Sequence, residues 1–246
     1  MIPKVIHYCW FGESPKTLIV ERCIHSWKTY CPDYEIIEWN ESNSNQFSNK
    51  FYRQALRKKQ YAFAADYIRI RVLEKCGGIY LDTDMLLINN INHLLHLDFF
   101  IGKEDENYIN FGIIGCKCDF IVIKSCKEFY NNDFDYINPI TIPVLLTSNI
   151  TNSLINAINY KIFNSSVFYP VPYSNRLENY SMFIKDDSLT VHLWNHSWKK
   201  ENKKSDIIMI LYLLYDFLFL EYKFSFFKKY FFVFFKNIVK SIFIKK

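Results

Sequence analysis

The sequence predicts an α/β fold in which helices flank a mixed, Rossmann-like sheet, and three observations lead there. The chain opens on a β-α-β pattern. A periodic helix closed by Gly77-Gly78 runs directly into a short apolar strand, and later apolar runs alternate with further helical stretches. Its 246 residues, half of them hydrophobic, suffice for one domain with a full core plus an appendage. That length excludes a disulfide miniprotein and a long repeat array. Charged residues at 22% and aromatics at 19% exclude a disordered chain, which could not carry so much ring surface.

Taken in order, Lys4 to Trp10 reads as a buried strand ended by Phe11-Gly12. Pro15 suits a first helical turn, and Leu18, Ile19, Cys23 and Trp27 recur at helical spacing. Pro32-Asp33 breaks that helix, and Tyr34 to Trp39 forms a second strand. Glu41 to Asn49 is polar and predicts a loop or a short irregular helix. Gln60 to Lys75 is a helix whose stripe is Ala62, Ala65, Ile68, Val72 and Leu73, with Gly77-Gly78 as its C-cap. Ile79 to Leu81 is a strand leading into Asp82-Thr83-Asp84 and a second apolar run, Met85 to Ile88. Further strands are expected at Phe99 to Gly102, Ile109 to Cys116 and Ser188 to Leu193, and helices at Asp119 to Tyr130 and near Thr147 to Asn159.

Charge divides the chain. Residues 1–198 carry 19 basic and 21 acidic side chains, net −2, whereas residues 199–246 carry 11 lysines and 4 acids, net +7. A boundary near residue 200 is therefore expected, with a body over 1–200 and a basic, aromatic helical tail over 201–246. Ile207 to Leu220 is too short to span a bilayer, which needs about 20 apolar residues. Further on, Lys228, Lys229, Lys236 and Lys240 share about a third of a helix circumference, while Phe227, Tyr230, Phe231, Phe234, Ile238 and Ile242 cover the rest. This cationic amphipathic pattern points to a membrane interface, the alternative being a helix docked on the body or on a partner. The apolar face is too broad for nucleic acid, and no arginine follows Arg176.

Seven cysteines make no C-x-x-C pair, and a strand-like run starts at once after Met1, without a leader. Reduced thiols in a cytoplasmic protein are expected. Cys116-x-Cys118 has no second pair with which to bind metal, so these thiols read as buried or incidental.

Chemistry concentrates at Asp82-x-Asp84. A short strand delivers two carboxylates to its carboxyl end, where they can hold Mg²⁺ or Mn²⁺, and the cation can bridge a diphosphate. D-x-D alone is weak, since many capped turns contain it. Upstream, Asp66 and Arg69 lie three apart and share one helix face; by themselves they could be a surface ion pair of little value. The helix, its glycine cap and the strand can present acid, base and metal-binding pair to one crevice.

Together, I-P-K-V-I-H-Y-C-W-F-G at the start, W-x-x-x-x-P-D-Y-E at Trp27 to Glu35, A-D-x-x-R and G-G-I-Y-L-D-T-D resemble the DXD-containing sugar transferases, glycosyltransferase family 32. That family is typified by the yeast initiating α-1,6-mannosyltransferase and by bacterial capsule and lipopolysaccharide transferases. The resemblance runs from Ile2 to about Trp198. The helix and DXD unit also look like those of the clostridial glucosylating toxins, so the resemblance implies a GT-A catalytic domain over 1–200.

The resemblance further implies a UDP- or GDP-sugar donor with Mn²⁺ or Mg²⁺. Trp10 would stack on the base; Asp66 and Arg69 would contact sugar and phosphates. Asp82 would bind hydroxyls and share the metal, and Asp84 would ligate it directly. Asn110 would lie near the sugar. The ending His192-x-x-x-x-Ser197-Trp198 would let His192 or Ser197 complete the metal shell and Trp198 close over the donor, with His196 competing with His192. Ala65 stands where many members have Ser, and Ile142-Pro143 replaces a frequent Gly-Pro on the acceptor side.

The implied reaction is sugar transfer with retention to a glycan or lipid-linked acceptor in polysaccharide synthesis, by a protein peripheral on the inner face of the plasma membrane and without nucleic acid. Three rivals compete. A haloacid-dehalogenase-type phosphatase would use Asp82 as nucleophile, but its D-x-D usually opens the domain. A catalytically inactive sugar-nucleotide binder or membrane scaffold would not need Asp66, Arg69, Asp82 and Asp84 intact. A nucleotidyltransferase would carry a Gly-rich loop that Phe11-Gly12 is not.

Overall fold

Val5–Cys9 (β1) is an inner strand of the sheet, with every residue after the first buried. Its register is parallel to Glu35–Trp39 (β2) on one side and to Gly78–Leu81 (β3) on the other. Antiparallel strands extend the sheet through Ile109–Cys116 (β6) and Phe99–Lys103 (β5), and Tyr160–Phe163 (β7) closes it parallel to β5. The order β2-β1-β3-β6-β5-β7 makes a mixed six-stranded sheet. A second, two-stranded sheet pairs Met85–Leu87 (β4) with Thr190–His192 (β8). This computed structural model describes residues 1–132, 147, 150, 154 and 157–195. All belong to the unit Met1–Trp198; the second unit, Lys199–Lys246, lies outside the described residues, as does most of the helix expected near Thr147 to Asn159.

Helix α1 (Leu18–Tyr30) starts at Thr17, whose hydroxyl accepts from the Val20 N–H, so Pro15 precedes the cap rather than occupying the first turn. Buried Trp27 donates its indole N–H to Met85 O at 2.8 Å, and the Ser26 hydroxyl accepts from the Leu87 N–H. These bonds satisfy β4 backbone groups that burial would otherwise leave unpaired. Helix α2 (Lys50–Arg57) was not expected; Asn49 caps it, and Phe51, Tyr52 and Ala55 are its buried side.

Helix α3 (Tyr61–Cys76) packs against β1, β3, α2 and Ile121–Asn132 (α4). It is therefore buried nearly all round, through Ala64, Tyr67, Ile68, Arg69, Ile70, Val72 and Leu73, and not on one stripe. The expected Ala62 and Ala65 are only half-buried. Gly77 (φ +63) caps it, and Gly78 (φ +98) opens β3 with the Val5 carbonyl where a Cβ would stand, 2.8 Å away. Only glycine accepts that turn without strain. A four-residue helix, α5 (Ser165–Phe168), follows β7. Among the described residues, no helix is long and apolar enough to cross a membrane.

Candidate active site and metal centre

Strand β3 ends at Leu81 and delivers Asp82 beside the carboxyl ends of β1 and β2. The turn is fixed from both sides: Asp82 N–H donates to Gly112 O at 2.7 Å, and Met85 N–H donates to Asp82 O. Asp84 is then carried toward β8, where Leu193 N–H donates to its carbonyl and Asn195 N–H to its Oδ2 at 2.8 Å. Because Met85 is paired with His192 in the β4–β8 register, the imidazole arrives next to the same carboxylate. His192 Nε2 lies 3.2 Å from Asp84 Oδ1.

On the other side, Arg69 donates through Nη2 to Asp82 Oδ1 at 2.6 Å and through Nη1 to Phe111 O at 3.0 Å. The same Nη2 stands 3.3 Å from Asp66 Oδ1, and the guanidinium carbon lies 4.4 Å from the Tyr80 ring centroid. Arg69 is thus no surface ion pair. Its side chain is 6% exposed, against 20% for Asp66 and 30% for Asp82, so the cation is the buried floor and the carboxylates face the opening.

Electrostatics follow from that layout. Burial pushes the Asp66 carboxyl up to about 7, with Asp82 adding to the shift and Arg69 opposing it. Burial also raises Asp82, against Arg69 and with Asp84. At Asp84 burial acts upward too, but the charge and hydrogen bond of His192 and the Asn195 N–H outweigh it and hold the carboxyl below its usual range. Burial lowers His192, and the neighbouring Asp84 carries it above its ordinary value. Three carboxyl groups confront one guanidinium and one imidazole, and a divalent cation beside them would favour their ionised forms.

Oxygen and nitrogen atoms of Asp82, Asp84 and His192 lie within 4.8 Å of one another. Two carboxylates and one imidazole are a donor set that suits Mn²⁺ or Mg²⁺. Arg69 takes Asp82 Oδ1 and the Asn195 N–H takes Asp84 Oδ2, so the second Asp82 oxygen and Asp84 Oδ1, which faces His192 Nε2, would be the oxygens offered to an ion. The residues present therefore fit such an ion.

The sequence-expected residues divide accordingly. Asp66, Arg69, Asp82, Asp84 and His192 converge. Asn110 sits nearby at the start of β6, but its amide is largely spoken for: Oδ1 accepts from Gly112 N–H at 2.6 Å and Nδ2 donates to Glu104 Oε2 at 2.7 Å. Trp10 follows β1, half-buried, with its indole N–H on Ser14 O. His196, Ser197 and Trp198 lie outside the described residues, as do Ile142 and Pro143. Among the thiols, burial raises Cys9, Cys31, Cys116 and Cys126, while Cys76 and Cys118 are exposed.

Sequence reasoning missed the part played by β6. Its pairing with β5 jumps from Ile101↔Ile114 to Gly102↔Asn110, so residues 111–113 arch out of register. That arch supplies the Phe111 and Gly112 carbonyls that hold Arg69 and Asp82. Tyr169 pins it, accepting from the Ile113 N–H at 2.9 Å and donating to Asn110 O at 3.2 Å. Trp194 was missed as well. It is 8% exposed at φ +50, its ring centroid lies 3.9 Å from that of His192, and its indole N–H donates to Val171 O.

Comparison with known proteins converges on one group. A glycosyltransferase sugar-binding region containing a DXD motif matches residues 19–100, and an alpha 1,4-glycosyltransferase conserved region matches residues 145–216. "Uncharacterized glycosyltransferase L373" of Acanthamoeba polyphaga mimivirus is 29% identical over 180 residues, 68% of this chain and 65% of its own. Mannosyl phosphorylinositol ceramide synthase CSH1 of Saccharomyces cerevisiae is 25% identical over 219 residues, 81% of this chain and 55% of its own. The matches thus span less than two thirds of either relative. Among solved structures, PaToxG glycosyltransferase superposes with a TM-score of 0.50 at 17% identity, covering 62% of this chain and 69% of that one, a likeness of fold.

Proposed function

Because this chain belongs to the glycosyltransferases whose sugar-binding region contains a DXD motif, we propose that it moves a sugar from a UDP- or GDP-sugar to a glycan or lipid-linked acceptor. The observation that carries the proposal is the convergence of Asp82, Asp84 and His192 beside the Arg69–Asp66 pair. Mn²⁺ or Mg²⁺, when held by Asp82, Asp84 and His192, supplies Lewis-acid charge to the diphosphate. Ser197 is the further candidate for that shell.

Arg69, fixed by Phe111 O and two carboxylates, directs its charge at the departing diphosphate without having to reorganise. Asp66, with a carboxyl near 7, can donate to or accept from a sugar hydroxyl at neutral pH. Trp10 offers its ring to the base and Trp198 its ring to the donor's other side. Asn110 keeps one Nδ2 hydrogen free for a sugar oxygen.

Asp66, Asp82 and Asp84 are each engaged by Arg69, His192 or a backbone amide, which disfavours a covalent glycosyl-enzyme route. Retention would then proceed by same-face substitution, the departing diphosphate oxygen taking the acceptor's proton. A lipid-linked acceptor in capsule or lipopolysaccharide assembly, reached at the inner face of the plasma membrane, draws support from the cationic tail and from the ceramide named for the yeast relative.

The test is a screen of UDP- and GDP-sugars with Mn²⁺ or Mg²⁺, scored by released nucleoside diphosphate. One donor should turn over, and Asp84→Asn should lower that rate by roughly 10³-fold with the fold intact, because the Asn195 N–H still finds an oxygen. Near-normal turnover of Asp84→Asn would sink the metal assignment.

A further inference from the structure

Ligating histidines usually donate their second ring nitrogen to a carboxylate, carbonyl or water, and that bond fixes the ring's orientation. His192 lacks it: Nε2 faces Asp84, while Nδ1 is buried without a hydrogen-bond partner among the described residues. Something else must hold the imidazole. Two rings do. Trp194 lies against it at 3.9 Å between centroids, tilted 42°, and Tyr169 meets it edge-on at 5.8 Å.

Trp194 is itself anchored. Its indole N–H donates to Val171 O at 2.9 Å, and Tyr173 packs edge-on against its outer side at 5.4 Å. Its backbone has φ +50, a region that bulky residues seldom occupy and that clusters at functional sites. On either side of that left-handed residue, the Leu193 N–H reaches Asp84 O and the Asn195 N–H reaches Asp84 Oδ2. A tryptophan at this position therefore does two jobs at once. Its ring packs against His192, and its backbone bends the chain so that the Asn195 N–H takes Asp84 Oδ2 and Oδ1 is left facing His192.

We propose that Trp194 is the positioning residue of the metal centre, its ring packing taking the place of the hydrogen bond that His192 Nδ1 lacks among the described residues and its backbone turn placing the Asn195 N–H on Asp84 Oδ2. The proposal rests on the assignment of Asp82, Asp84 and His192 as metal ligands, and its test separates the two. Trp194→Gly is the informative variant, because glycine accepts φ +50 without strain while the ring is removed. Since the variant also loses the indole bond to Val171 O, it is compared in its folded form, and dependence on His192 is what separates positioning from a merely structural role.

Mn²⁺ binding to the full chain, read from the electron paramagnetic resonance of free Mn²⁺ without any donor, should weaken ten- to a hundredfold in Trp194→Gly. Trp194→Phe, which keeps a ring, should recover most of that. In a His192→Ala background the Trp194→Gly change should cost far less, since the ring would have nothing to orient. Wild-type-like binding by Trp194→Gly, or an equal loss with and without His192, overturns the role of Trp194. If the wild type binds no Mn²⁺, or Asp84→Asn binds it unchanged, the metal assignment fails and this proposal with it.

Discussion

Arg69 shows how one residue can carry both stability and chemistry. Its guanidinium is 6% exposed and meets Asp82, Asp66 and the Phe111 carbonyl at once, a fork that a lysine ammonium cannot reproduce. Breaking a buried charged pair typically costs about 3–5 kcal/mol. Arg69→Lys keeps the charge and loses the fork, so it should cost about 1–3 kcal/mol in urea unfolding and lower donor turnover by roughly a hundredfold. Unchanged turnover would detach Arg69 from the leaving group. His7 makes a different point about single residues. Trp39 donates its indole N–H to His7 Nδ1 at 3.2 Å, so Nε2 carries the proton and donates to Gly77 O at 2.9 Å. Burial lowers this imidazole to about 4. The unfolded chain binds a proton near 6.5 that the folded protein refuses, so stability rises with pH between about 4 and 6.5 and is lost as pH falls through that window. The depression corresponds to about 3 kcal/mol at 1.36 kcal/mol per unit. Urea unfolding at pH 7 and at pH 4.5 should show most of that difference in the wild type and much less in His7→Gln.

At the scale of elements, the hydrogen bonds of the β6 arch join the fold to the site. Tyr169→Phe leaves the Ile113 N–H unpaired in a buried place, a loss of about 1–3 kcal/mol. Because the arch also sets the Phe111 and Gly112 carbonyls, turnover should fall with stability. Tyr34→Phe removes a part-buried bond to Asn92, beside the start of the edge strand β2, and should lower stability while leaving turnover intact. Parallel losses of turnover in both variants would refute the coupling. The arch also marks where the sequence ceased to be readable. Strands β1, β3 and β6 and helix α3 were legible because an apolar run or period, closed by Gly77-Gly78 or a polar break, is a local signal. Asp66, Arg69, Asp82 and Asp84 were legible because one helix-glycine-strand unit carries them all. A register shift has no such signature, since it depends on which residue of β5 faces which of β6. Tyr169 and Trp194 lie 59 and 110 residues beyond Asn110 and Asp84 respectively, and they read as ordinary aromatics. Helix α2 was overlooked because Arg53, Arg57 and Lys50 mask its three buried positions.

The whole molecule is organised by charge. Residues 1–198 sum to −2, and part of that acidity is the cluster that would take a cation and a diphosphate. Residues 199–246 sum to +7, so in a membrane-bound protein the two parts would meet an anionic surface with opposite preferences. The body would be weakly repelled, whereas each lysine near the surface contributes about 1 kcal/mol of attraction. Phe227, Tyr230, Phe231, Phe234 and Ile238 add an apolar contribution that salt does not screen. The tail reading therefore predicts a two-part response. Sedimentation with anionic vesicles should weaken as sodium chloride rises from about 0.05 to 0.5 M, where the Debye length falls to a few ångströms, yet should not vanish. Replacing Lys228, Lys229, Lys236 and Lys240 by Glu in the full chain should abolish the salt-sensitive part. Deleting residues 206–246 should abolish both parts and leave Mn²⁺ binding unchanged, since Asp82, Asp84 and His192 all precede the deletion. Vesicle binding that survives the deletion would place the membrane contact on the body. No vesicle binding by the wild type at any salt concentration would make the tail a docking segment for a protein partner.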